Sequence, residues 1–139
     1  MTNIFKESGL LFFLLVTAWI PVNAGEVKIL AAQLNRLHDN QWTISVTLKH
    51  QDSGWEHYAD NWRVVDSSDA AIGNRVLHHP HVNEQPFTRS LTNIEIPAAS
   101  RLLYIEARDN VHGWSGDRLK IDLSKALNGR LSVTANADK

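Results

Sequence analysis

Seven histidines and no cysteine define the ligand chemistry open to this chain, which is imidazole nitrogen and carboxylate oxygen. Six of them, His50, His57, His78, His79, His81 and His112, fall in three separate segments. With nitrogen and oxygen donors only, the candidate ions are Zn(II) and Cu(II); the single methionine, Met1, leaves no thioether for a Cu(I) site. The string His79-Pro80-His81 is suited to ligation. The residue before proline is held extended and proline's own φ is fixed, so the pair loses little entropy on binding. Residues i and i+2 of an extended segment share a face, which puts His79 with His81 and turns His78 away. The expected metal ligands are His79, His81 and His112, with His57 the fourth. Glu84 and Asp109, among nearby carboxylates that include Glu56, Asp60 and Asp117, are expected to supply an oxygen or to fix an imidazole tautomer.

Period-2 alternation dominates the chain after residue 25, clearest at Gln41–His50, where Trp42, Ile44, Val46 and Leu48 face one way and Thr43, Ser45, Thr47 and Lys49 the other. His50 continues the inward phase of that strand and so drops from the ligand set. Similar runs at 27–34, 58–66, 72–79, 88–96, 102–109 and 118–123 make seven strands, separated by turn signals such as Asp52-Ser53-Gly54 and Pro97-Ala98-Ala99-Ser100. Seven short strands with turns at this spacing predict an all-β, antiparallel sandwich of immunoglobulin or fibronectin-III type over residues 25–124. The missing cysteine pair favours the second type. Residues 125–139 are either a polar tail or a short extra strand near Leu131–Thr134.

With the strands lettered A to G, successive connections alternate between the two ends of a sandwich, so the B–C, D–E and F–G loops share one pole. His50 and His57 lie at the first, His78, His79 and His81 at the second, and His112 at the third. His38 falls at the opposite end. Trp62 and Trp42 are expected in the core, whereas Trp55 and Trp114, each beside a glycine, are candidates for exposure.

The first 24 residues read as a secretory signal peptide: Lys6, an apolar run Leu10–Ile20 broken by one hydroxyl, and small residues ending at Ala24. The run is short of the about 20 residues that span a bilayer, so cleavage after Ala24 would release a periplasmic or secreted protein with no membrane association. An uncleaved anchor is the alternative, since Glu7 offsets Lys6. A lipid anchor is not expected without a cysteine, and an amino-terminal copper motif is not expected with Val27 in third place. Acidic and basic residues nearly balance, for a net charge of −1. With Lys and Arg only at isolated positions, that argues against nucleic acid as a partner, which needs a basic face.

The strings Gly54-Trp55-Glu56-His57-Tyr58-Ala59-Asp60-Asn61-Trp62 and Arg75-Val76-Leu77-His78-His79-Pro80-His81-Val82-Asn83-Glu84-Gln85-Pro86-Phe87-Thr88-Arg89-Ser90 resemble a group of small exported bacterial β-sandwich proteins of unassigned activity. The likeness runs from about strand B to strand G and implies export. Periplasmic copper carriers built on sandwiches are a looser analogy, of fold and compartment alone. The expected function is metal handling or delivery at the histidine pole, with the metal ion and another exported protein as partners. No phosphate loop, nucleophile elbow or His-Glu-x-x-His string is present, and no catalysis is expected. Two other readings use the same residues. The histidines can be structural or pH-sensitive donors to backbone carbonyls, or the polar rim of a protein-interaction face anchored by Trp55, Trp114 and Phe87.

Overall fold

The computed structural model describes residues 25–136; the leader expected over 1–24 lies outside them. Nine strands and one 3-10 turn occur among the described residues: β1 (Lys28–His38), β2 (Gln41–Lys49), β3 (Ala59–Asp66), β4 (Ala71–Val76), β5 (Phe87–Glu95), β6 (Leu102–Asp109), β7 (Gly113–Trp114), β8 (Leu119–Asp122) and β9 (Arg130–Thr134). They form two antiparallel sheets packed as a β-sandwich. One has the order β5-β2-β1-β9; the other runs β4-β3-β6, with β7 and β8 both paired to β6. Each of the seven expected segments carries a strand. The count differs from seven through β7, a two-residue pairing with Arg108 and Asp109, and β9, which covers the free edge of β1 from Asn35 to Ala31.

Alternation builds the core as the pattern of β2 requires. Trp42, Ile44, Val46 and Leu48 are buried, and they meet Trp62 and Val64 of β3 and Leu103, Ile105 and Ala107 of β6. The same inward phase continues past the apolar residues at one end of each sheet. On β2 the next inward residue is His50, and on β6 it is Asp109, both buried. A polar layer therefore closes the core at the pole formed by the connections 50–58, 77–86 and 110–118.

The outward face of the second sheet carries its own charged layer. Glu106 of β6 accepts from Arg63 Nε at 2.6 Å and from Arg118 Nε at 2.8 Å. Arg63 in turn lies over the Trp114 ring at 3.9 Å, and Arg118 over Tyr104 at 4.8 Å. Burial pushes the Glu106 carboxyl up, but the two guanidinium groups outweigh it and hold the group below the usual carboxylate range. A depressed carboxyl contributes stability above its unfolded-state pKa and loses it as pH falls through the folded value. Glu106→Gln is expected to lower stability at pH 7 by about 1–3 kcal/mol, read by urea denaturation. The gap between wild type and variant should close on acidification from about pH 5 to pH 2.

Candidate metal centre at the histidine pole

Asp52 organises the pole. Its side chain is fully buried. Oδ1 faces His50 Nδ1 at 2.5 Å and accepts from the Ala59 backbone at 3.0 Å; Oδ2 accepts from the His81 backbone at 2.7 Å. Gln85 repeats the bridge, accepting from the His50 backbone at 3.0 Å and donating to the His81 carbonyl at 3.0 Å. The end of β2 and the loops 50–58 and 77–86 are thereby fastened together.

A second set of contacts presents His57 to Asp109. Gly54 takes φ +152°, a conformation suited to glycine, and the turn it opens is closed by His57 N–H to Gly54 O at 3.2 Å and Ser53 N–H to His57 O at 3.0 Å. Asn110 ties this turn to the end of β6, accepting from Tyr58 N–H at 2.9 Å and donating to the Trp55 carbonyl at 2.9 Å. Asp109 Oδ1 accepts from the backbone of Val111 and of His112 at 2.8 and 2.7 Å, which folds the His112 ring back to 3.1 Å from the same carboxylate. Burial pushes the Asp109 carboxyl up, yet these hydrogen bonds and the His112 ring outweigh it and hold it low, as a carboxylate.

Three donors converge as a result. His57 Nε2 lies 3.3 Å from Asp109 Oδ1, and His50 Nε2 lies 4.0 Å from Asp109 Oδ2. One ligand atom each from His50, His57 and Asp109 lies within 4.8 Å of the other two. The His57 ring is edge-on to His50 at 4.8 Å and to His112 at 5.0 Å between centroids. His57 Nε2 is buried and has no hydrogen-bond partner. His50 Nε2 faces the Gly25 carbonyl at 2.7 Å, so each of its ring nitrogens meets an oxygen.

The expected ligands divide between two places. His57 and His112 join the group around Asp109, where Asp109 is central and not a distant support. His79 and His81 form a separate pair, with rings 4.5 Å apart as their shared face requires. His81 is buried and stacks on Phe87 at 3.9 Å and 7°, so Phe87 belongs to the core and is not an exposed anchor. Arg89 donates to His81 Nε2 at 2.9 Å, placing a cation against the lone pair a metal would need. Burial, Arg89 and His79 together push the His81 ring below the ordinary histidine value of 6.5. Glu84 is exposed and sits 3.6 Å from Arg89, Trp55 is 65% exposed, and Trp114 is half-buried beneath Arg63. His78 is exposed, and His38, at the other pole, is exposed beside Asp39.

Asp52, Gln85, Asn110 and Gly25 lie outside the expected site residues, and His50, excluded from the expected ligands by its inward phase, reaches Asp109 all the same. One signal was present: Asp52 continues the period-2 phase of His50, so an acid follows a histidine on the inward side.

No family model matches the chain, and no solved structure matches it. A 79-residue stretch is 40% identical to a protein of Halomicrobium mukohataei described as a "Putative lipoprotein", covering 57% of this chain and 38% of that protein. The chain thus spans about two fifths of its relative's length. The relative's description agrees with export. Among the described residues no helix is long and apolar enough to cross a membrane.

Removing the Asp52 carboxylate strands three donors in the interior. Asp52→Ala is expected to cost about 3–5 kcal/mol, measured by thermal or urea denaturation. A histidine with a lowered folded pKa keeps its full contribution above 6.5 and loses it as pH falls below that value. An NMR titration of the His81 ring should accordingly give a midpoint below 6.5.

Proposed function

We propose that this chain is an exported β-sandwich of fibronectin-III type that binds one divalent transition metal ion, Zn(II) or Cu(II), for handling or delivery and not for turnover. The fold type is supported by β4, which pairs with β3 and not with β5, unlike the four-stranded sheet of constant-type immunoglobulin domains. The proposed ligands are His57 Nε2, Asp109 and His50 Nε2, with the His112 ring beside them. His79 and His81 act as supports of the neighbouring loop, the role that their Phe87 and Arg89 contacts favour.

One observation carries the reading: a buried, unpaired imidazole nitrogen 3.3 Å from a buried carboxylate oxygen. Ligands about 2.0–2.1 Å from a tetrahedral ion lie about 3.3 Å apart. The Asp52–His50 contact supplies what a metal-bound histidine ordinarily has, a carboxylate on its other nitrogen that fixes tautomer and ring direction. Neutral imidazoles with one carboxylate suit both ions.

A second reading, an interaction face at the same pole, is favoured by Trp55, Val82 and Val111, which are 65%, 49% and 57% exposed. The two are compatible if delivery is to another exported protein.

Calorimetric titration of the metal-free protein with Zn(II) and with Cu(II) should give one equivalent bound. By linkage, metal at one hundred times its Kd should add about 2.7 kcal/mol of stability. His57→Ala should weaken binding at least tenfold and leave the metal-free melting temperature within a few degrees, while His79→Ala should bind as wild type. No binding of either ion at neutral pH overturns the metal reading.

A further inference from the structure

Gly25 sits inside the histidine group. Its carbonyl faces His50 Nε2 at 2.7 Å. A Cβ placed on its Cα would lie 2.7 Å from His112 Cε1, 3.3 Å from His112 Nδ1 and 3.4 Å from His57 Cε1. The side on which any other residue would carry a side chain is thus occupied by two of the rings. The Gly25 nitrogen is one bond, about 1.46 Å, from that Cα. It falls within about 6 Å of both rings. In an unprocessed chain this nitrogen is a peptide amide, a poor metal donor.

The leader ends at Ala24 on the sequence pattern, which makes Gly25 the first residue after cleavage. We propose that removal of the signal peptide completes the metal site: the new α-amino group of Gly25 becomes a ligand beside His50, His57 and Asp109. The inference rests on the metal reading above and extends it. A signal peptidase and one water hydrolyse the Ala24–Gly25 amide, leaving a carboxylate on Ala24 and an ammonium on Gly25. The ammonium gives its extra proton to solvent when its nitrogen binds the ion.

The geometry suits such a ligand. The Gly25 nitrogen and carbonyl oxygen can close a five-membered chelate ring on one ion, as a free amino acid does. The 2.7 Å between that oxygen and His50 Nε2 is close to the about 2.8 Å that separates two donors set at right angles on bonds of about 2.0 Å. The ion therefore takes the place of the shared proton with the spacing kept. Rotation about the Gly25 Cα–C bond brings the amine to the same side as the carbonyl oxygen, as the chelate requires, while the carbonyl stays in place. Glycine is the residue this arrangement tolerates, since a Cβ would enter the His112 ring.

The test begins with the exported protein itself, whose intact mass should correspond to a chain starting at Gly25. Titrations with Zn(II) and Cu(II) then compare three proteins: the chain starting at Gly25, the chain retaining Val22-Asn23-Ala24 ahead of it, and His57→Ala in the Gly25 form. Retaining the three residues should weaken Cu(II) binding at least tenfold and remove one nitrogen from the hyperfine pattern of the bound Cu(II) in electron paramagnetic resonance. Equal affinity and equal spectra for the first two proteins, with His57→Ala impaired, would overturn this inference and leave the metal reading standing. A mature chain that starts elsewhere also overturns it. If the Gly25 form binds neither ion, both fall.

Discussion

One buried carboxylate fastens the end of the first sheet to the loops of the histidine pole. Asp52 lies at the end of the first sheet and collects a ring nitrogen and two backbone N–H groups from three stretches of chain. Burying a carboxylate is costly unless its oxygens are filled by donors, and here the donors come from the two loops that must meet. The cost of an unfilled Asp52 therefore becomes a force for loop closure. Gln85 adds neutral hydrogen bonds along the same seam. The result is a pole whose two loops are joined to each other by buried hydrogen bonds, a support on which a site can be built.

The two buried acids of the histidine pole have different surroundings. Asp52 takes its donors, one ring and two backbone N–H groups, from the separate stretches it joins, whereas Asp109 takes two backbone N–H groups from the turn just after it and otherwise meets the rings of His112, His57 and His50. That contrast separates the group that fastens the loops from the group proposed to hold a cation, though both are buried acids beside histidines. The opposite pole offers a different opportunity, a cleft of about 700 Å3 lined by Arg36, Trp42, Pro97 and Arg101 among others, with none of the histidine chemistry.

Alternation made most of the sandwich readable. The seven segments, the buried Trp42 and Trp62, and the shared pole of three loops all follow from period 2 and antiparallel reversal. β7 could not be read because its two residues sit among glycines and pair only once β6 exists. β9 is the extra strand expected near Leu131–Thr134 as one of two readings of the tail; what decides for it is the open edge of β1, a tertiary fact. The placing of the histidines was half legible. The inward phase of His50 was plain, but inward at the last residue of a strand points to the polar end of the core and not to its middle. The His79 and His81 pair was plain as well. Its seat against Phe87 and Arg89 was not, since β5 begins beside it only after the chain has crossed between sheets. Asn110 and Gly25 carry no local signature, because their roles consist of what the fold brings next to them.

The outer face of the first sheet holds three hydroxyl pairs across β2 and β5, Thr43 with Thr92, Ser45 with Ser90 and Thr47 with Thr88, each 2.7–2.8 Å apart. β2 and β5 are joined through a long excursion into the other sheet, so no hairpin turn sets their alignment. The hydroxyl rungs do so from the solvent side. A slip by one residue would turn Leu48 and Val46 outward and break every rung together. A one-residue misalignment is thus wrong on both faces at once, with neither the apolar side nor the hydroxyl side left to hold it.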